Sequence, residues 1–142
     1  MSAQTRPRPA SSSRREGSAA IEFALVGPML VLLLMGMVVY GGWFWLAQSI
    51  QSLATESARA AMSGIDDTER RQLAMAYVVH EAAEGSGLDP ALIATTVTSD
   101  ANAVRVHLTY DAHAHPILVL AGPLPKPPTL IRRQAVVRTG GY

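Results

Sequence analysis

The side chain best placed for chemistry in this sequence is Glu22, because it stands at the start of a long uncharged segment. Residues 23–50 contain no Asp, Glu, Lys or Arg. A carboxylate at the N-terminal end of a membrane helix costs free energy unless it pairs with a positive group. Glu22 is therefore expected to pair with a positive group; the alternative is that it sits at headgroup depth without a specific role.

A second set of candidates lies in a histidine-rich stretch, where Asp111, His113 and His115 are close together and His107 is nearby. Two histidines in a His-x-His pattern on a strand project from one face, as metal ligands can. The stretch is more typical of a loop, however, and no fourth ligand is evident. We therefore expect solvated histidines and neither a metal nor another cofactor.

Motifs of the common enzyme classes are absent from the 142-residue sequence. It contains no Cys, which excludes disulfides, cysteine-ligated zinc and a cysteine nucleophile. It also lacks a Gly-rich phosphate loop and a serine nucleophile elbow. The basic N-terminus has no interleaved aromatic residues, which argues against nucleic acid binding. We expect a protein that is not an enzyme.

The element that must position Glu22 is an apolar helix. At about 1.5 Å per residue, residues 23–46 span roughly 35 Å, enough to cross a hydrocarbon core of about 30 Å. The first 17 residues carry four Arg and one Glu, a net charge of +3, whereas eight basic and nine acidic residues follow residue 23. The positive-inside rule then predicts a cytoplasmic N-terminus and an external C-terminal domain.

The residues around Glu22 also form a recognisable string. Ser18 follows Gly17, Glu22 comes five positions after Gly17, and residues 17–28 are Gly-Ser-Ala-Ala-Ile-Glu-Phe-Ala-Leu-Val-Gly-Pro. The spacing resembles the processing site of type IV prepilins. The string is similar to the start of the TadE-like family, the pseudopilins of tight-adherence (Flp-type) pilus systems. This resemblance covers roughly residues 14–46 and does not separate a TadE from a TadF-like role.

The resemblance implies cleavage between Gly17 and Ser18 by a prepilin peptidase at the cytoplasmic face of the bacterial inner membrane. Gly17 has no side chain to obstruct a protease. The new α-amine of Ser18 would lie about one helical turn from Glu22. The carboxylate of Glu22 could pair with the amine of its own or of a neighbouring subunit, and such pairing would set the register between subunits. The implied partners are the peptidase, sister pseudopilins and the pilus assembly platform.

The sequence predicts three regions: a basic disordered leader at residues 1–17, a long helix at residues 18–63 with its transmembrane segment at about 23–46, and a small periplasmic domain at residues 64–142. Trp43 and Trp45 are typical of a membrane interface. Small residues let membrane helices approach closely, and such helices tolerate proline. The predicted packing surface, through which subunits would oligomerise, comprises Phe23, Gly27, Pro28 and Gly36, with Gly41 and Gly42 as further small positions.

The predicted fold class is α+β. Because about 80 residues are marginal for an independent core, either the outer half of the long helix should lend an apolar face to the domain or a partner should complete the core. Gly64 is the predicted C-cap. A second helix is predicted at residues 66–85, with a capping box of Asp66 and Glu69, a stop at Gly85 and Gly87, and a buried face of Leu73, Ala76, Tyr77 and His80.

An antiparallel sheet is predicted from the alternating pattern at residues 92–98 and 103–110, completed by a third strand near residues 131–138. The apolar run at residues 116–121 is expected in the core, with a partner surface as the alternative. The proline run that follows, residues 122–128, should be an extended connector.

An alternative function from a different class is an uncleaved, single-pass anchored binding module. In that case the periplasmic domain would hold a ligand, a peptide or a metal near residues 107–115, and Glu22 would be incidental. Retention of residues 1–17 in the mature protein would distinguish this module from a pseudopilin.

Overall fold

The computed structural model describes residues 12–84, 88–100 and 102–139 of the chain. The predicted α+β class is confirmed, because a long N-terminal helix is followed by a second helix and a three-stranded antiparallel sheet. Along the chain the elements are α1 (Ser12–Ala60), a 3-10 turn (Ala61–Ser63), α2 (Asp67–Glu84), a second 3-10 turn (Pro90–Leu92), β1 (Ile93–Ser99), β2 (Ala103–Asp111), α3 (Pro116–Val119) and β3 (Leu130–Arg138).

Helix α1 begins earlier than predicted. Residues 12–17 are helical, although the sequence predicted a disordered leader over residues 1–17; residues 1–11 lie outside the described residues. Arg14, Arg15 and Glu16 are good helix formers, and extending an existing helix avoids the cost of nucleating a new one. The predicted cleavage position therefore lies within a helix and not at its start.

The C-terminal half of α1 forms one wall of the core of the C-terminal domain (residues 64–139), as predicted. The sheet, α2 and α3 all contact this helix. Its alanine-rich face lets them approach closely, so that the domain core includes part of α1 and is not built by residues 64–139 alone. The buried face recurs at three- and four-residue steps and comprises Leu46, Ala47, Ile50, Leu53, Ala54, Ala58 and Ala61.

Gly64 ends the 3-10 turn that follows α1, close to its predicted role as a C-cap. Its φ of −74° and ψ of 139° are accessible to any residue, so backbone conformation does not require glycine here. The limited space at this position does require glycine, because a Cβ on Gly64 would lie 2.7 Å from the backbone nitrogen of Arg70. Arg70 in turn donates from Nε to the Gly64 carbonyl oxygen at 3.1 Å. The end of α1 is thereby held against the first turn of α2.

Replacing Gly64 by Ala is expected to lower the free energy of unfolding by about 1–3 kcal/mol, because the new Cβ must push two backbone segments apart. Thermal unfolding of the full-length protein in detergent, followed by circular dichroism, measures the effect. Gly41→Ala is the matched control, since a Cβ at Gly41 meets no atom within 4 Å. Equal losses of Tm in the two variants would contradict the steric explanation.

Helix α2 begins with the predicted pair of capping residues. The backbone N–H of Glu69 donates to Asp66 Oδ1 at 2.7 Å, and Glu69 Oε2 accepts from the backbone N–H of Ile65 at 2.7 Å. In a standard capping box the Glu69 side chain would accept from the backbone N–H of Asp66, whereas here it accepts from that of Ile65. The bond still satisfies an otherwise free backbone donor. The helix extends to Glu84, and the predicted stop at Gly85 and Gly87 lies outside the described residues.

The buried face of α2 is displaced by one residue from the prediction. Ala76 and His80, predicted on the buried face, are exposed, while Leu73 and Tyr77 are half-buried at its edge. His80 is thus not a core histidine; its side chain is 69% exposed, and Nε2 lies 3.3 Å from Glu84 Oε2. Close packing against the alanine-rich face of α1 favours small residues at the contact. The buried residues of α2 are Ala74, Val78 and Ala82.

The three strands form one antiparallel sheet in the order β1-β2-β3. Val106 of the central strand is paired with Val97 of β1 and with Ala135 of β3, and all three side chains are buried. The alternation predicted for β2 is confirmed: Arg105 and His107 are exposed, and the intervening residues face the core. Those core residues are Val104, Val106, Leu108 and Tyr110.

Asp100 organises the turn between β1 and β2. Its Oδ1 accepts from the backbone N–H of Asn102 at 2.9 Å and of Ala103 at 2.8 Å, and its Oδ2 pairs with Arg105 Nη1. The hydrogen bond from Arg105, followed by those from the two backbone groups, lowers the pKa of the Asp100 carboxyl from 3.8 to about 2.

Asp100 is expected to make the stability of the domain depend on pH in acid. Because folding lowers its pKa, its contribution is complete above 3.8 and is lost as the pH falls through about 2. Asp100→Asn retains an acceptor for the turn but removes the charge opposite Arg105. The Tm of this variant should be below that of the unmodified protein at neutral pH and should converge with it in acid. A Tm difference that is independent of pH would exclude this role of the carboxylate.

The segment between β2 and β3, residues 116–128, folds back onto α1, and we call it the proline loop. Leu118 and Ala121 are buried, so part of the apolar run lies in the core as predicted. Val119 and Leu120 of the same run are exposed. The apolar run is thus divided between a face that packs on the chain and a face that no described residue covers.

Candidate functional site

Ser18 and Glu22 lie one turn apart on the first part of α1. The hydroxyl of Ser18 donates to Glu22 Oε1 at 3.3 Å, as their four-residue spacing on a helix permits. Both residues are exposed. The structure therefore brings the two predicted site residues into direct contact and leaves both of them exposed.

Gly17 precedes this pair and is also exposed. A Cβ on Gly17 would meet no atom within 4 Å, so the fold itself does not require a glycine at this position. A glycine within a helix is less stable than alanine by roughly 0.5–1 kcal/mol, which makes local unwinding easier. A peptidase that binds an extended chain needs such unwinding, because residues 12–60 are helical.

An apolar surface follows the site, over residues 21–38 of α1, and we call it the apolar sleeve. One helix of the described chain is long and apolar enough to cross a membrane, and it contains this sleeve. Within the described ranges the chain leaves these side chains uncovered on every side of the helix. The exposed large residues are Ile21, Phe23, Leu25, Val26, Met29, Leu30, Val31, Leu32, Leu33, Leu34, Met37 and Val38.

The predicted helix-packing residues lie within the sleeve. The ring of Phe23 lies over Gly27, since a Cβ on Gly27 would be 3.9 Å from the Phe23 ring atoms. A Cβ on Gly36 would meet no atom within 4 Å, which leaves open space beside the helix. Pro28 lies inside α1 and has no N–H to donate to the carbonyl of Ala24. These positions are thus available to a neighbouring helix.

Gly42 has a different environment from the other glycines of α1. A Cβ at this position would lie 2.8 Å from Cδ1 of Ile117, in α3. The small residue therefore accommodates the chain's own proline loop, whereas the sequence suggested a contact with another helix. Spacing within α1 could not distinguish the two, because Ile117 is distant in sequence.

Two aromatic residues of α1 hold the proline loop in place. The Tyr40 hydroxyl donates to the Pro125 carbonyl oxygen at 2.8 Å, and Trp43 Nε1 donates to that of Pro128 at 2.9 Å. Trp43 was predicted at the membrane interface, whereas Tyr40 was not singled out and carried no local signal. The predicted transmembrane segment, residues 23–46, therefore overlaps the domain at the C-terminal end of that segment, where Val39 and Leu46 are fully buried.

The histidine-rich stretch does not converge on one point. His115 Nδ1 accepts from the backbone N–H of Ile117 at 3.4 Å and caps α3. His113 Nδ1 lies 3.1 Å from Asp111 Oδ1, and the hydrogen bond from the His113 backbone N–H is the main cause of the lowered pKa of Asp111. His107 lies on the exposed side of β2. Across residues 12–84, 88–100 and 102–139, no group of three His, Asp or Glu residues could hold a metal ion.

Residues 17–59 match the family model described as TadE-like protein. No curated protein and no solved structure matches the chain. The match begins at the glycine of the candidate cleavage site and runs through the sleeve to the penultimate residue of α1. The TadE-like resemblance expected from Gly17, Ser18 and Glu22 is therefore confirmed, and it covers residues 17–59 of this chain.

Proposed function

We propose that this protein is a pseudopilin or minor pilin that helps to assemble a tight-adherence (Flp-type) pilus or a related secretion system. The observation that carries the proposal is the TadE-like match, which starts at Gly17 and contains both the Ser18–Glu22 contact and the exposed sleeve. The work of such a protein is mechanical. Subunits associate through their apolar helices and support the start or growth of a filament.

The proposed first step is cleavage between Gly17 and Ser18 by a prepilin peptidase. The leader keeps Arg14 and Arg15 at the cytoplasmic face, because positively charged residues stay on that side of the membrane. The exposure of Gly17 and its low helix propensity support access by the peptidase. Cleavage would leave a positive α-amine on Ser18, whose side chain already contacts Glu22.

The proposed second step is pairing of Glu22 with the new amine of a neighbouring subunit. A carboxylate that enters a membrane without a partner is costly, whereas a carboxylate paired with an ammonium group is tolerated. Such a pair fixes how far one helix slides along the next. Phe23, Gly27, Pro28 and Gly36 would supply the adjoining contact, since open space surrounds Gly36 and only Phe23 covers Gly27.

In this proposal the protein is a single-pass protein of the bacterial inner membrane, with its C-terminal domain in the periplasm. The net charge of +3 on the first 17 residues supports this orientation, because four of them are Arg and one is Glu. Its partners are the prepilin peptidase, sister pseudopilins and the assembly platform in the same membrane.

The direct test is the intact mass of the membrane-extracted protein from cells with and without the cognate prepilin peptidase. We expect a chain that begins at Ser18 when the peptidase is present and a chain that retains residues 1–17 when it is absent. Gly17→Val should retain the leader in both strains, because the larger side chain obstructs the protease, while Ser18→Ala should be cleaved normally. A leader retained by the unmodified protein in both strains would refute processing and favour the anchored-module alternative.

A further inference from the structure

We propose that the proline loop is seated in the membrane surface, with Val119 and Leu120 inserted among the lipids of the leaflet on the side of the C-terminal domain. The proposal rests on the insertion of α1 in the membrane. It does not depend on cleavage of the leader or on pilus assembly. The loop would contact the lipids at the level where the headgroups meet the acyl chains.

The depth of the loop follows from the length of the sleeve. A hydrocarbon core of about 30 Å is crossed by about 20 helical residues. Counted from Ile21, the first large apolar residue after the leader, 20 residues end at Tyr40. Val39, one residue before that point, is fully buried. The chain thus begins to cover its own helix at the depth where the acyl chains of the bilayer end.

The residue that marks this depth is bonded directly to the loop. Tyr40 donates to the carbonyl oxygen of Pro125 at 2.8 Å. Side chains on an α-helix point toward its N-terminus, so the ring of Tyr40 extends toward the membrane and not away from it. Ile117 packs at Gly42, half a turn further out. The loop between these contacts is therefore the part of the domain closest to the bilayer.

The side chains exposed on the loop suit a lipid interface. Val119 is 67% and Leu120 48% exposed, whereas the preceding residue, Leu118 of α3, is buried. Phe44 and Trp45 are exposed on the adjoining turn of α1, and tryptophan is enriched at this depth of a membrane. Lys126, the only lysine of the chain, is exposed on the same loop; a long cationic side chain at this level can reach lipid phosphates.

The absence of cysteine from the sequence allows a direct depth measurement with single nitroxide labels. Full-length Val119→Cys and Leu120→Cys variants are labelled and placed in lipid nanodiscs that hold one copy. Collision with oxygen and with a water-soluble nickel chelate then gives the depth of each label. Leu30→Cys, in the middle of the sleeve, is the control for insertion. Thr68→Cys, exposed in the first turn of α2, is the control for water.

We expect the labels at positions 119 and 120 to lie about 5–10 Å below the lipid phosphates, the depth of an interfacial apolar face. The label at position 30 should be deeper and that at position 68 in water. Labels at 119 and 120 that are as accessible to nickel as the one at 68 would overturn the proposal. So would protection that occurs only in discs with several copies, since a second copy would then cover the loop. If the label at position 30 is also accessible to the nickel chelate, α1 does not span the membrane and the proposal is refuted.

Discussion

Replacing Glu22 by Gln is expected to leave cleavage after Gly17 intact and to abolish most pilus assembly. The amide keeps the size of the side chain and can still accept the hydrogen bond that Ser18 donates at 3.3 Å. It cannot form an ion pair with the new α-amine of a neighbouring subunit. A loss of about 1.4 kcal/mol per contact already lowers association tenfold, and a filament repeats the contact at every subunit. Intact mass measures cleavage, and electron microscopy of cells counts pili.

Glu16→Gln is the matched control for this experiment. It makes the same chemical change in the leader, six residues earlier, and the affected residue is removed if cleavage occurs after Gly17. We therefore expect normal mature mass and normal piliation. Normal piliation in Glu22→Gln would reject a register role for Glu22. Loss of cleavage in that variant would move the role of Glu22 from assembly to recognition by the peptidase.

Replacing Leu108 by Ala is expected to unfold the C-terminal domain or to bring it close to unfolding. Leu108 lies on the central strand and is 1% exposed. Removing a buried leucine side chain costs about 2–5 kcal/mol, because the transfer energy is lost and a cavity remains. Small domains have only about 5–15 kcal/mol of total stability. Thermal unfolding and limited proteolysis of the purified full-length protein should both show the loss.

His107→Ala is the control, because His107 is adjacent on the same strand but faces outward. A surface substitution of this kind usually changes stability by less than about 0.5 kcal/mol. Similar losses of Tm in the two variants would mean that the sheet does not use this face as its core. That result would contradict the position of α1 against the sheet.

Local sequence patterns were sufficient for much of the fold. The strands were predicted to within one residue of their observed ends, because alternation between buried and exposed side chains repeats at every second position. The capping pair of Asp66 and Glu69 could also be predicted, because its hydrogen bonds join residues within about one helical turn. The contact of Ser18 with Glu22 is equally local.

Where a helix carries two apolar stripes of similar strength, the sequence could not show which of them is buried. In α2, one apolar stripe contains Leu73 and Tyr77, and the adjacent stripe contains Ala74 and Val78. The sequence prediction placed the first stripe in the core, and His80 was assigned to it. The structure buries the second stripe because α1 presents alanines to it and leaves little space. The shape of the opposing surface decided the rotation of the helix.

Local sequence is sufficient to predict the apolar sleeve, the position of Gly17, Ser18 and Glu22, and the α+β class, because each depends on the order or spacing of neighbouring residues. The end of the sleeve depends instead on packing between distant parts of the chain. Tyr40 and Trp43 bind carbonyl groups 85 residues further along the chain, and Gly42 makes room for Ile117. Contacts over such separations leave no periodic signal in either segment. They form only when α1, the sheet and the proline loop pack together.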